Sequence, residues 1–175
     1  MFKNIALPPL LTALLLFATT LPAQSENWKG EPNIGAQGVK GANAFTRIDG
    51  DYNITFSCSS KKGKNRTIYM RLNTPHDAAL EVGNETSFPV YMLFKFKDGK
   101  TERQKLMVHF IRTESDITYW RSSFPLSKKF LHNFSASKTM ELMTFLDKII
   151  YLYHMNGSAK ASNALIKYCY NGDYF

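Results

Sequence analysis

The chain has few cysteines and no local signature of a catalytic or metal site. Its 175 residues include two cysteines and four histidines. None of these lies in the HxH, HExxH or CxxC-type spacing of a local zinc site, and no serine lies in a GxSxG sequence. We therefore expect no metal, no cofactor and no catalytic residues, and we interpret the protein as non-enzymatic. A hydrolase stays open as an alternative if the fold brings His109 or His154 beside a carboxylate.

Long apolar runs are absent after residue 25, and acidic residues are fewer than basic ones. No later stretch is apolar for about 18 residues, so no transmembrane segment is expected in the processed chain. The 22 Lys and Arg exceed the 14 Asp and Glu, which leaves a formal net charge of +8. This balance favours an acidic or anionic partner. The lack of an RNP-type motif, a zinc finger or a helix-turn-helix argues against nucleic acid.

The first 25 residues have the composition of a signal peptide. A positive start precedes an apolar stretch from Ile5 to Ala18, and small residues lie where a cut after Ala23 or Ser25 would need them. The protein is then expected to be periplasmic or secreted. The predicted organisation is a signal peptide over 1–25, a flexible, polar and glycine-rich leader over 26–50, and a single β-rich domain over 51–175.

The two cysteines are predicted to form one disulfide, as is usual in an exported protein. Cys58 ends the alternating run DYNITFSC, and Cys169 ends the amphipathic segment SAKASNALIKYC. In that segment one apolar stripe at helical spacing contains Ala161, Ala164, Leu165 and Tyr168. A Cys58–Cys169 bond would hold the last helix on the first core strand and close a loop of ~111 residues. The alternative is two free thiols.

Period-two alternation from Asp51 onward predicts a mainly β fold. Helical spacing predicts one short helix over 126–134, capped by Ser127, and a closing helix that begins near Ser158 after Gly157. Asp98-Gly99 predicts a two-residue hairpin turn. Because βαβ alternation is absent, we expect an antiparallel β-sandwich or curved sheet with two short helices. The predicted strands are 51–58, 68–72, 88–96, 102–112, 117–120, 139–145 and 148–155.

Two basic hairpin tips are the sharpest charge features of the sequence. The first is predicted to bind an anionic partner and contains Lys61, Lys62, Lys64 and Arg66. The alternative is a solvated turn without a binding role. A second tip would support the binding interpretation if both lie at the same end of the sheet, and it contains Lys95, Lys97, Lys100, Arg103 and Lys105.

The order of these features resembles small periplasmic β-sandwich proteins of Gram-negative bacteria. The similarity rests on ITFSC, on the hairpin VYMLFKFKDGKTERQ, on YWRSS, on KFLHNF and on the closing ALIKYC. The TagO/VasI-like accessory proteins of type VI secretion and the invasion-associated locus B family share this layout. The resemblance implies a non-catalytic envelope or virulence factor, and it supplies no catalytic residues.

The function expected from the sequence is that of a non-enzymatic exported binding protein. It would act in the bacterial envelope or as a secreted virulence factor, on a protein or an anionic envelope component. An accessory or effector protein of a secretion system is the alternative, and a periplasmic enzyme inhibitor ranks lower. A cationic inhibitor would be repelled by common lysozymes, which are also cationic.

Overall fold

The computed structural model describes residues 26–34, 40–48, 52–59, 66–73, 87–112 and 118–170. Within these ranges the chain is mostly β, with two α-helices and a π-helical turn over Ile166–Tyr170. The helices are α1 (Lys128–Ala136) and α2 (Ser158–Leu165). The strands are β1 (Lys29–Ile34), β2 (Lys40–Ile48), β3 (Tyr52–Ser59), β4 (Thr67–Asn73), β5 (Phe88–Lys95), β6 (Thr101–Arg112), β7 (Thr118–Pro125), β8 (Thr139–Thr144) and β9 (Ile149–His154).

All nine strands belong to one antiparallel sheet in the order β1-β2-β3-β4-β7-β6-β5-β8-β9. Strand β6 joins its two halves, because residues 101–108 pair with β5 and residues 109–112 pair with β7. We call β1, β2, β3, β4 and β7 the first half of the sheet, and β5, β8, β9 and residues 101–108 of β6 the second half. This confirms the predicted mainly β fold with a curved antiparallel sheet and two short helices.

Both helices begin as the sequence predicts. The Ser127 hydroxyl accepts a hydrogen bond from the Phe130 amide at 3.1 Å, which caps α1. Helix α2 starts after Gly157, whose φ of +81° is left-handed. A Cβ at Gly157 would lie 2.5 Å from the Trp28 carbonyl oxygen, so the close approach of these two segments also requires glycine.

The Asp98-Gly99 turn is one residue longer than predicted. The Phe96 amide donates to the Lys100 carbonyl at 2.9 Å, which leaves three loop residues, 97–99, between them. The Gly99 amide bonds to the Phe96 carbonyl at 3.2 Å, and Gly99 has a φ of +84°. A β-turn followed by a left-handed glycine is the usual three-residue hairpin loop.

The prediction of a flexible leader over 26–50 is wrong for the residues that the structure describes. Strands β1 and β2 come from this stretch, and residues 41–48 of β2 pair with β3, so one sheet contains strands from both sides of the predicted boundary. Trp28, just before β1, is only 3% exposed. The Trp28 amide donates to the Asn156 carbonyl at 2.8 Å, which ties the first described segment to the turn before α2.

Small side chains explain why this stretch looks unstructured in the sequence. Ala42 and Ala44 of β2 are fully buried on the face that meets α2. On β1, a Cβ added to Gly30 would lie 2.6 Å from the Cα of Ala161. Helix and sheet approach so closely here that only glycine and alanine fit. These residues have low strand propensity, so they hide a buried strand from a reading of sequence alone.

An aromatic cluster fills the core and joins the two halves of the sheet. The Trp28 ring stacks on Phe56 at 5.7 Å, meets Phe134 edge-on at 4.7 Å, and lies 6.1 Å from Tyr153. These rings come from β3, α1 and β9. Burial raises the pKa of the Tyr153 phenol well above its ordinary value, and the neighbouring Tyr151 adds to this shift.

The predicted disulfide is present between Cys58 of β3 and Cys169 of the π-helical turn. Their Cα atoms are 6.1 Å apart, and 111 positions separate them in the chain. Both cysteines are buried beside the predicted helical stripe, in which Ala161 and Leu165 are fully buried. Among the described residues, no helix is long and apolar enough to cross a membrane.

Replacing both Cys58 and Cys169 by alanine is expected to lower the free energy of unfolding by about 2–5 kcal/mol, because the unfolded chain regains the entropy of a long loop. Urea denaturation followed by tryptophan fluorescence measures this change. Reductant should lower the stability of the wild type to a similar extent and leave the variant unchanged. A variant as stable as the oxidised wild type would show that the bond contributes nothing.

Trp28→Ala is expected to lower the free energy of unfolding by about 3–5 kcal/mol, since it empties a large buried site. Ile34→Ala is the matched control from the same segment, because Ile34 is 70% exposed. That variant should stay within about 0.5 kcal/mol of the wild type. Equal, small effects of both substitutions in urea denaturation would mean that the first strand does not pack on the body.

Candidate anion-binding face

Two neighbouring strands carry the same Tyr-x-Arg sequence. In β4 it is Tyr69-Met70-Arg71, and in β7 it is Tyr119-Trp120-Arg121. Side chains alternate along a strand, so each tyrosine shares a face with its arginine while the middle residue points inward. The middle residues, a methionine and a tryptophan, are buried, and both arginines are exposed. Tyr69, Arg71, Tyr119 and Arg121 together form what we call the arginine–tyrosine face.

The register of β4 and β7 places the two arginines directly opposite each other. Arg71 pairs with Arg121, and on the next strand Arg121 pairs with His109 of β6. Like charges opposite each other on adjacent strands are destabilising. Three groups that are cationic or can become so therefore lie side by side across the centre of the sheet.

Each arginine extends away from the other and over a tyrosine of the facing strand. The Arg71 guanidinium lies 4.2 Å from the centre of the Tyr119 ring, and the Arg121 guanidinium lies 5.8 Å from that of Tyr69. Arg71 Nε also donates to Asn73 Oδ1 at 2.7 Å. Stacking on a ring orients a guanidinium and leaves N–H groups at its edge for an anion.

Carboxylates are absent from four of the strands that form or flank this face. Strands β2, β3, β4 and β7 contain no Asp or Glu. Among the described residues, neither Arg71 nor Arg121 has a carboxylate within ion-pair distance. In the strand register the nearest outward acid is Glu31 of β1, three strands from Tyr69 and so about 14 Å away. Among the described residues, the two arginines of this face are therefore not compensated by a nearby carboxylate.

A cleft of about 400 Å³ opens beside Arg121. Ser122 lies at its base, where its hydroxyl donates to the Met107 carbonyl at 2.6 Å. An arginine, a histidine and hydroxyl groups beside apolar side chains can hold an anionic group and the carbon skeleton that bears it. The lining residues are Met107, His109, Ile111, Arg121, Ser122 and Ser123.

In the second half of the sheet, by contrast, cations are paired with carboxylates. Arg103 Nη2 lies 2.6 Å from Asp147 Oδ1, and the Arg103 guanidinium also stacks 3.7 Å from the Tyr91 ring centre. Lys95 Nζ lies 2.6 Å from Glu141 Oε1, whose carboxylate is buried. Arg103 thus repeats the arginine-over-tyrosine geometry, but with an acidic partner.

The second predicted basic tip is therefore largely neutralised. Lys95 and Arg103 have the partners just described, and Lys100 pairs with Asp98 at 3.0 Å. The hydrogen bond from the Lys100 side chain lowers the pKa of Asp98 below its ordinary value. Arg66 lies at the same end of the sheet as the second tip, because β4 and β6 are both antiparallel to β7 and begin at that end.

The first predicted basic tip falls mostly outside the described residues, which include Arg66 but not Lys61, Lys62 or Lys64. Arg66 is exposed, and its carbonyl accepts a hydrogen bond from the Leu126 amide at 2.7 Å. This tip connects β3 to β4, so it leads directly into the strand that carries Tyr69 and Arg71. Its predicted role in binding an anion stays a prediction.

The histidines belong to no metal-ligating cluster in the part of the chain that the structure describes. His109 faces outward opposite Arg121, and His154 ends β9. His132 stacks on Phe96, with ring centres 6.0 Å apart, beside a second cleft of about 320 Å³. No group of three metal-ligating side chains occurs among the described residues. His76 lies outside them.

Sequence reasoning missed Arg71, Tyr119 and Arg121. A signal was present, because the triplets YMR and YWR occur in two strand patterns without acidic residues. Their meeting could not be read from the sequence, since β5 and β6 lie between β4 and β7 in the chain. Only the sheet order makes them neighbours.

These features define a class of protein: a nine-strand antiparallel β-protein with a disulfide-tethered C-terminal helix and a cationic, aromatic outer face. No protein family, no curated protein and no solved structure matches the chain. The resemblance to small periplasmic β-sandwich proteins therefore stays a prediction from sequence.

If the arginine–tyrosine face serves binding rather than stability, Arg121→Gln should change the free energy of unfolding by less than about 0.5 kcal/mol. Relief of the like-charge repulsion from Arg71 offsets the lost ring contact. The matched control is Arg103→Gln, which loses an ion pair and a closer stack and should cost about 0.5–1 kcal/mol. Urea denaturation at low salt compares the two variants. A larger cost for Arg121→Gln than for Arg103→Gln would give Arg121 a structural role.

Proposed function

We propose that this chain is an exported binding protein that recognises an anionic partner through the arginine–tyrosine face. One observation carries the proposal: Arg71 and Arg121 lie directly opposite each other with no carboxylate partner among the described residues. Such an arrangement weakens the fold, and residues that break a local stability rule are expected at functional sites. A bound anion would turn the repulsion into attraction.

The location of the face also supports binding through side chains. Strand β4 and residues 118–121 of β7 are paired on both sides, so their backbone N–H and C=O groups are used by neighbouring strands. A partner therefore cannot add a strand here and must be recognised by guanidinium, imidazole, phenol and hydroxyl groups. Guanidinium groups pair with carboxylates and phosphates through two parallel N–H donors.

The proposed site of action is the bacterial envelope or the exterior of the cell. A disulfide closed between distant parts of the chain is typical of proteins that fold in an oxidising compartment. The predicted signal peptide over 1–25 points the same way, and so does the resemblance to periplasmic proteins. A binding role is preferred to catalysis because the arginine–tyrosine face carries no nucleophile paired with a base.

Binding to immobilised dextran sulfate, with neutral dextran as reference, tests this proposal. The wild type should bind only the sulfated surface, and its affinity should fall at least tenfold between 50 and 300 mM salt, on the order expected from screening. The double variant Arg71→Gln, Arg121→Gln should lose at least about tenfold in affinity at low salt.

The control for net charge removes two cations from elsewhere, in the double variant Lys97→Gln, Arg103→Gln. It should bind within about twofold of the wild type, because these residues lie in the other half of the sheet. Equal losses in both double variants would show that binding follows net charge alone. A triple variant at Lys61, Lys62 and Lys64 then measures the share of the first basic tip.

A further inference from the structure

We infer that the cleft between helix α1 and the β5–β6 hairpin binds a single uncharged sugar ring, held by the side chain of Asn133. The cleft has a volume of about 320 Å³ and lies in the second half of the sheet, away from the arginine–tyrosine face. The inference is independent of the proposed function, because it concerns another site and a ligand without charge. It rests on three observations: a buried amide without a partner, balanced charges at the rim and two aromatic rings.

Helix α1 presents one side to the β5–β6 hairpin. Lys129 Nζ lies 2.7 Å from Glu102 Oε2 of β6, and the His132 ring stacks on Phe96, which directly follows β5. Asn133 comes four residues after Lys129, so it shares this side of the helix. Both His132 and Asn133 line the cleft. The helical spacing therefore directs the Asn133 side chain toward the cleft.

The Asn133 carboxamide is a polar group in a buried position. Asn133 is only 4% exposed, and its neighbours Phe130 and Phe134 belong to the core. Its backbone carbonyl accepts from the Ser137 amide, but its side chain has no hydrogen-bond partner among the described residues. The amide atoms are not sealed from solvent, so a ligand reaches them through the cleft. An unpaired buried amide weakens the fold, and a ligand that pairs with it would recover that free energy.

The charges at the rim of the cleft cancel in pairs. Lys100 Nζ lies 3.0 Å from Asp98 Oδ2, and Lys129 Nζ lies 2.7 Å from Glu102 Oε2. An anionic ligand would lie beside two carboxylates, and a cationic ligand would lie beside two ammonium groups. A ligand without charge avoids both repulsions and the cost of removing its own charge from water. The rim therefore favours a neutral, polar molecule.

The hydrogen-bonding groups of the cleft favour a sugar over a peptide or a nucleobase. A carboxamide carries its donor and its acceptor side by side, so the ligand needs both at neighbouring atoms, as two adjacent hydroxyls have them. The N–H and C=O of a trans peptide unit point in opposite directions and cannot both reach Asn133. The carboxylates of Asp98 and Glu102 add acceptors, and a sugar ring supplies more donors for them than a nucleobase does.

The aromatic rings and the size of the cleft agree with one sugar ring. Phe96 and His132 line the cleft and offer an apolar surface to the C–H groups of a sugar. Small-molecule sites commonly have volumes of roughly 300–1,000 Å³. This cleft lies at the lower end of that range, so it suits a single ring rather than a longer saccharide.

Nitrogen–proton NMR of the folded chain tests the inference, because the side-chain amide of Asn133 gives a signal of its own. The neutral probes are the methyl glycosides of glucose, galactose, mannose and N-acetylglucosamine. At least one of them should shift the Asn133 signal in a saturable way. The matched charged probes are methyl glucuronide and methyl glucosaminide. Each should bind at least about threefold more weakly than the best neutral glycoside, because its charge must be desolvated.

Three variants assign the binding to this cleft, with the backbone amide signal of His132 as the readout. Asn133→Leu should reduce the affinity for the best glycoside at least about tenfold, while its midpoint of urea denaturation should equal or exceed that of the wild type. Glu102→Gln keeps the shape of the side chain and should reduce the affinity at least about threefold. Asn163→Leu is the matched control, because Asn163 is an exposed asparagine of α2, and it should leave the affinity unchanged.

The absence of a saturable shift at Asn133 with all four neutral glycosides would overturn the inference. Tighter binding of a charged probe, of adenosine or of N-acetylalanine methylamide would also overturn it and assign the cleft to an ion, a nucleobase or a peptide. If Asn133→Leu does not fold, unchanged affinity in Glu102→Gln overturns it instead. The double variant Arg71→Gln, Arg121→Gln should bind the glycoside as the wild type does, so this site and the arginine–tyrosine face are tested separately.

Discussion

The indole of Trp28 is the contact on which the shape of this protein most depends. It packs against Phe56 of β3, Phe134 of α1 and Tyr153 of β9, so it joins parts of the chain that are far apart in sequence. Its backbone is also bonded to the turn before α2. Without this contact, β1 would be held by one neighbouring strand and one helix. The burial of a single large ring thus brings the first strand, the last strand and both helices around one core.

The disulfide acts on the same region from the other side. It fixes the π-helical turn after α2 to β3, next to the strand pair over which α2 lies. The close approach of α2 to β1 and β2 is possible because Gly30, Ala42, Ala44 and Ala161 are small. A covalent bond and a tight helix–sheet contact therefore hold the C-terminal segment over the N-terminal strands. The interior strands β4 and β7 are supported in turn, and they provide a rigid base for the arginine–tyrosine face.

Paired and unpaired charges are distributed unequally over the two halves of the sheet, and this difference distinguishes the candidate site from the rest of the surface. In the second half, Arg103 stacks on Tyr91 and also meets Asp147, which is the arrangement expected of a stabilising surface arginine. In the first half, Arg71 and Arg121 stack on tyrosines but face each other. The same residue types thus form a stabilising ion pair in the second half of the sheet, whereas in the first half their positive charge has no carboxylate partner among the described residues. Unpaired positive charge on a rigid sheet is a property expected of a surface that binds anions.

Local patterns were sufficient for much of the fold. Three features depend on residues that are close in sequence: the cap at Ser127, the left-handed Gly157 and the alternation of β3 to β6. The disulfide was predictable for another reason, because two cysteines can form only one intramolecular bond. The prediction of a flexible leader over 26–50 was wrong because the residues buried under the helix are small, so the sequence shows no hydrophobic alternation there. The second basic tip looked like a binding site because its acidic partners, Glu141 and Asp147, come from strands and turns about 45 residues later.

The amino-acid sequence by itself determined the class of fold, the two helices and the disulfide, since periodicity, capping residues and cysteine number act locally or leave few alternatives. Tertiary structure alone decided which strands are neighbours. The order of the sheet brings β4 beside β7 across two intervening strands, sets Arg71 against Arg121, and leaves both without an acidic partner among the described residues. Strand order depends on how the whole core packs, because the free energy of each pairing includes burial contributed by distant residues. The candidate site is therefore a property of the packed sheet, although each of its residues is plain in the sequence.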